Sequence, residues 1–137
     1  MTAERDLLIG HRLERARETL DEARVLGDAG HWNAAVNRLY YACFYAVTAL
    51  LLQRDLSSSK HSGVLSLFNR HFVRTASVSQ EMGGFYRDLF RSRQKSDYLD
   101  FARFEEEQVR AWSGQAERFV QEVEGMLGRE PGRPSPD

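Results

Sequence analysis

This sequence predicts an all-α protein, and three observations carry that reading. Proline is confined to the end of the chain, at Pro131, Pro134 and Pro136, so no ring interrupts helical hydrogen bonding before residue 129. Apolar residues recur at spacings of three and four through several segments, the period of a helix with one buried stripe. No segment alternates apolar and polar residues as a half-buried strand does, and there is no internal repeat.

The first segment carries Ile9, Leu13, Ala16, Leu20 and Ala23 in one narrow stripe, with Arg12, Arg15, Glu18 and Glu22 on the other faces. Gly10 costs that helix roughly 1 kcal/mol relative to Ala, so its first turns are expected to fray. Gly27 and Gly30 mark its end. Residues 37–52, NRLYYACFYAVTALLL, follow. The apolar run from Leu39 is shorter than the ~20 residues that span a bilayer, and Gln53, Arg54 and Asp55 close it. Being apolar on every side, it is expected to be the buried central helix, covered on several faces and by a second subunit on one of them.

Serines 57–59 offer caps to a shorter helix with Val64, Leu67, Phe68 and Phe72. Ser77 and Gln80 have the spacing of a capping box, introducing a helix whose stripe is Met82, Phe85, Tyr86, Leu89 and Phe90. Gly83 and Gly84 interrupt it, either for close packing against the central helix or because the helix starts after them. The last helix, from about residue 104 to 127, repeats Val109, Trp112, Ala116, Phe119, Val123 and Met126. Its period matches that of the first helix, which suits near-antiparallel packing of the two at about 20°. Residues 1–127 thus form one domain, and residues 128–137, GREPGRPSPD, short and rich in Pro and Gly, are expected to be a disordered tail.

A length of 137 residues with 42% hydrophobic and 28% charged content is that of one globular domain. The charged start MTAERDLLIG lacks the apolar core of a secretory leader, and the single Cys43 can form no internal disulfide. Both point to the cytoplasm and away from a membrane, with Cys43 as a small buried hydrophobe. The net charge is −1, but residues 60–95 hold seven basic groups against two acids, while residues 97–127 hold eight acids against three arginines. Two explanations stand: helices pairing across an interface, or a basic surface for a phosphate-bearing partner.

Several chemistries are excluded. No Glu-x-x-His pair, His-Glu-x-x-His helix or cysteine pair is present for a metal, and no Gly-rich strand-to-helix loop for a dinucleotide or P-loop nucleotide. No cofactor is expected. RSRQKSDY, residues 91–98, gathers Arg91, Arg93, Lys95, Asp97 and Tyr98, where guanidinium groups suit a phosphate; alternatively Arg93 and Asp97 simply pair at i,i+4. Arg38, one residue before the apolar run, needs an anionic partner if half-buried, and Asp97 is the expected one, with the Tyr98 ring anchored on the core beside it. His11 and His31 suit surface or loop positions. His71, beside Arg70, suits the negative end of a helix, whereas Lys60 and His61 stand at a helix start, where free N–H groups favour an anion.

The motifs NRLYYACFYAVTALLL, KHSGVLSLF and LFRSRQKSDY, in that order, resemble those of the HEPN domain across roughly residues 3–127. The resemblance implies an up-and-down antiparallel bundle of four main helices plus a shorter one, usually a homodimer. Many members of that family are toxins or defence ribonucleases encoded beside a minimal nucleotidyltransferase antitoxin. Their nuclease motif is Arg, four to six residues, then His. Here Arg91 or Arg93 fills the first place and Asp97-Tyr98 the second, so the chain resembles a subgroup with Arg followed by Asp-Tyr. In some family toxins a nearby Tyr receives adenylate from the antitoxin, and Tyr98 has a comparable place. Asp, with a pKa near 3.9, and Tyr, near 10, are ill matched to proton transfer at pH 7, and His61 replaces the missing group only if folding carries it to Arg93. The resemblance therefore implies binding of a nucleotide, RNA or nucleotidyltransferase through Arg38, Lys60, His61 and Arg91, with Arg93, Asp97 and Tyr98 as the residues of any catalysis. A metal-independent ribonuclease and a purely structural dimerising bundle are the alternatives.

Overall fold

The computed structural model describes residues 2–98 and 103–128, without the Tyr98 side chain. Five α-helices follow one another: α1 (Ala3–Asp28), α2 (Trp32–Gln53), α3 (His61–Phe68), α4 (Gln80–Tyr98) and α5 (Glu106–Leu127), with a π-helical turn (Asn69–Val73) continuing α3. No strand occurs among the described residues. The fold is the all-α bundle expected, with four long helices and one short.

The Thr2 hydroxyl caps α1 by accepting from the Arg5 amide at 3.1 Å, and the helix runs unbroken through Gly10. Its C-terminus closes where Gly30 takes φ +80°, a value open to glycine at no steric cost; the His31 amide then donates to the Leu26 carbonyl at 2.9 Å. Ala16, Leu20 and Ala23 are buried as expected, while Thr19, which the apolar pattern passes over, is buried by donating its hydroxyl to the Arg15 carbonyl at 2.6 Å.

Helix α2 packs against α1, α3, α4 and α5. Among the described residues it alone is long and apolar enough to cross a bilayer, yet 67% of its most apolar window is buried within the bundle. It is the core helix. Around Leu39, Tyr40, Cys43, Val47 and Leu50 gather Phe68, Phe72, Phe85, Tyr86 and Phe119 from the other helices. Two ion pairs, Arg17 with Glu124 and Arg110 with Asp28 at 3.7 Å, tie α1 to α5 and run in antiparallel order.

Three local expectations are corrected. Ser57, Ser58 and Ser59 do not cap α3: Lys60 holds that position without a side-chain cap, and the Ser58 Oγ instead accepts from the Lys60 amide at 3.2 Å. The cap of α4 lies two residues beyond the predicted box, because Ser79 Oγ accepts from the Met82 amide at 3.0 Å while Ser77 turns to Thr75. Gly83 and Gly84 lie inside α4, and the close neighbour is not the central helix. A Cβ on Gly83 would stand 2.7 Å from Cγ2 of Val73 on the π-helical turn.

Valine is stiff at χ1 and would have to give way, so Gly83→Ala is expected to lower stability by about 1–3 kcal/mol despite the better helix propensity of alanine. A denaturant titration checks this; a gain in stability would show that the turn is free to move. The expected disordered tail falls, from residue 129 onward, outside the described residues.

Candidate functional site

The π-helical turn and the short α3 matter because of where they leave His61. As the first residue of α3, it lies against the half of α2 that carries Tyr40, Tyr41 and Phe44. Its ring stacks on Phe44 with centroids 4.3 Å apart, and Tyr41 meets it edge-on at 5.6 Å. The fully buried Tyr40 places its hydroxyl 2.8 Å from His61 Nδ1. His61 Nε2 has no hydrogen-bond partner among the described residues.

From the other side α4 delivers Arg93, whose side chain is only 13% exposed. Its guanidinium lies 5.0 Å from the Tyr40 ring centre and 5.7 Å from that of Tyr41, each a cation–π contact of about 0.5–2 kcal/mol. Nη1 donates to the Tyr41 hydroxyl at 3.2 Å and faces Asp97 Oδ2 at 3.4 Å. Nε is buried with no acceptor among the described residues. Arg93 and His61, 32 residues apart in sequence, thus share one pair of tyrosine rings. The condition that His61 be carried to Arg93 is met.

Burial lowers the His61 pKa from its ordinary value, and the adjacent Arg93 cation adds to that. The imidazole is therefore neutral at pH 7. An unfolded chain binds that proton more readily, so stability is complete above about pH 6.5 and declines as pH falls below the unfolded value. His61→Gln is expected to flatten this part of the stability–pH curve; an unchanged slope between pH 5 and 7 would contradict it. Burial likewise pushes Tyr40 up to about 12, against the pull of Tyr86 and Arg93, and raises Cys43 well above the usual thiol range. Cys43 is fully buried, the hydrophobic role expected.

Other predicted residues separate. Arg38 does not meet Asp97. Its Nη1 faces Glu22 of α1 at 3.4 Å, its Nε and Nη2 donate to Asn37 Oδ1, and its guanidinium covers Tyr41 at 5.0 Å. Asp97 lies one helical turn from Arg93 and is taken by it instead. Arg38 and Asp97 do line the same open cleft of about 310 Å³, with Asn33, Asn37 and Ser96. Lys60 is exposed beside His61. Arg91 is exposed and, two positions from Arg93 on a helix, points away from the cluster. The Tyr98 side chain, and its expected anchoring on the core, lie outside the described residues. His11 and His31 are exposed. Tyr40 and Tyr41 were read only as part of an apolar run, although a buried tyrosine hydroxyl needs a partner, and that need was the signal for the site.

The uneven charge is also resolved in part. Among the described residues the ion pairs of α5 with other helices go to α1, and within residues 60–95 only Arg93 has an acidic partner. Lys60, Arg70, Arg74, Arg87, Arg91 and Lys95 are exposed and unpaired there. Among the described residues no three His, Cys, Asp or Glu side chains converge as metal ligands.

A helical bundle that brings an arginine from its fourth helix to a histidine from its third, around paired tyrosines, defines a protein with a cationic, aromatic-lined site. Residues 9–126 match the HEPN domain, and the chain belongs to that family. It is 47% identical over 124 residues to a UPF0332 protein of Thermotoga maritima, covering 90% of this chain and 94% of that one. It is 33% identical over 115 residues to a Methanocaldococcus jannaschii protein named "Putative toxin MJ0605", covering 84% of this chain and 85% of the other. A second protein of that organism, named "Putative toxin MJ0142", is 35% identical over 86 residues, 63% of this chain and 58% of its own length.

Proposed function

We propose that this HEPN protein is of the toxin type and binds phosphate groups of single-stranded RNA at the Arg93–His61 cluster, as a binding module rather than a nuclease. The observation that carries this reading is the Arg93 guanidinium held against two tyrosine rings, beside a neutral histidine whose Nε2 has no partner among the described residues. A phosphate oxygen suits those donors. Tyr41, Phe44 and Tyr45 are half-buried on the same stretch of α2, and bases stack on such rings without regard to sequence. The unpaired basic groups of residues 60–95 add a field that attracts a polyanion. The toxin setting rests on the names of the two archaeal relatives. A homodimer and a minimal nucleotidyltransferase partner belong to the same reading through the family.

Fluorescence anisotropy with a labelled single-stranded RNA tests it. Binding that weakens steeply with salt, on RNA recovered intact, is the expected result; no binding at low salt contradicts the proposal. The rival is a metal-independent ribonuclease, favoured by the presence of a histidine beside Arg93 at all. Shortening of the RNA in chelator by wild type, but not by His61→Gln, would establish the rival in its place.

A further inference from the structure

We infer that Tyr40 is a positioning residue: its hydroxyl donates to His61 Nδ1 and holds the imidazole as the tautomer that presents Nε2–H to a ligand. His61 is thereby an anion-gripping donor and has no free lone pair with which to take a proton. The inference deepens the phosphate-binding reading and rests on it for the identity of the ligand, an oxyanion such as a phosphate diester.

The assignment follows from counting buried protons. Tyr40 and Tyr86 are both fully buried, with near-parallel rings 10° apart in plane and 6.0 Å between centroids. Tyr40 Oη has one hydrogen-bond partner of standard geometry among the described residues, His61 Nδ1, and the Tyr86 hydroxyl has none. Two arrangements exist. If His61 Nδ1–H donated to Tyr40, the fully buried Tyr40 O–H would be left without an acceptor of standard geometry. If instead Tyr40 donates to His61 Nδ1, that buried O–H is matched and the imidazole proton sits on Nε2. A buried donor left unpaired is costly enough to bias the choice about tenfold or more.

The surrounding groups reinforce it. Tyr40 keeps its proton throughout the physiological range, because burial outweighs the neighbouring cation. Burial, and Arg93 from α4 after it, disfavour an imidazolium. Phe44 and Tyr41 of α2 fix the ring plane. A permanent cation and a neutral N–H donor then share the Tyr40 and Tyr41 rings, and neither changes charge between about pH 7 and 9. Accepting a proton from a ribose hydroxyl would first require moving the Tyr40 proton back, against the count above.

Long-range proton–nitrogen NMR on the uniformly labelled full chain at pH 7.5 reads the tautomer directly, with the His61 signals identified by His61→Gln. Wild type is expected to show a protonated Nε2 and a bare Nδ1, the other form being about tenfold rarer or less. Tyr40→Phe, which removes a donor to the neutral ring, is expected to mix the tautomers and raise the His61 pKa; Tyr41→Phe is expected to leave the tautomer alone. A protonated Nδ1 in wild type, or a Tyr40→Phe variant with the same tautomer and pKa, overturns the inference. If Tyr40→Phe does not fold, the wild-type spectrum decides alone. No RNA enters this measurement, so a failure to bind RNA would remove the functional reading and leave the tautomer assignment standing.

Discussion

Arg93→Ala is expected to weaken RNA binding by at least about tenfold, the loss of one or two charge-assisted hydrogen bonds at about 1.5–3 kcal/mol. The effect is expected to be local. Arg91→Ala removes the same charge two residues away, from an exposed position without partners, and should cost fivefold at most, about 1 kcal/mol. A general electrostatic attraction would make the two variants equal. The contrast arises because Arg93 is 13% exposed and oriented by Tyr40 and Tyr41 before any ligand arrives, so little side-chain entropy remains to be lost. Anisotropy titrations at matched salt distinguish these outcomes, and equal losses in the two variants would remove Arg93 from its assigned place.

The largest effect on stability is expected in α2. Leu50 is 1% exposed and surrounded by the side chains of the main core. Leu50→Ala should cost about 2–5 kcal/mol, the transfer free energy of the lost methyl and methylene groups plus that of the cavity left behind. Against a total of about 5–15 kcal/mol for a domain, that is enough to move a urea midpoint by a large fraction with the slope unchanged. A loss under about 1 kcal/mol would mean that Leu50 faces outward and that α2 is not the covered core helix.

Helix α2 also shows what was legible beforehand. A run apolar on all sides and closed by Gln53, Arg54 and Asp55 suits the centre of a bundle, and although the full helix is long enough to cross a bilayer, most of its apolar window is covered by the other helices. The stripes of α1, α4 and α5 were equally legible, since a period of three and four residues follows from helix geometry alone. Helix starts were less so: Ser77 and Ser79 are both competent caps, and tertiary packing of Val78, 5% exposed, selected the second. The π-helical turn had no signature in the residue pattern.

The site divides in the same way. The i,i+4 pairing of Arg93 with Asp97 is a local fact and was weighed from spacing. The meeting of Arg93 with His61 depends on how α3 is laid against α2, a long-range arrangement that no spacing encodes. The need of Arg38 and Asp97 for partners suggests pairing them, but α1 supplies Glu22 to Arg38, and a helix stripe does not reveal which of its polar residues faces a neighbour. The adjacent Tyr40 and Tyr41, one buried and one half-buried, are the signal the run carries, since each covered hydroxyl demands a polar neighbour in the fold.

Chemical-shift mapping of the labelled protein with a short single-stranded RNA, and separately with a mononucleotide, addresses the phosphate site most directly. The account predicts that the largest changes fall on the Arg93 guanidinium, the His61 ring and the Tyr40 and Tyr41 signals, with the RNA acting at lower concentration than the mononucleotide. Changes confined to other faces of the bundle, with Arg93 and His61 undisturbed at saturation, would contradict it.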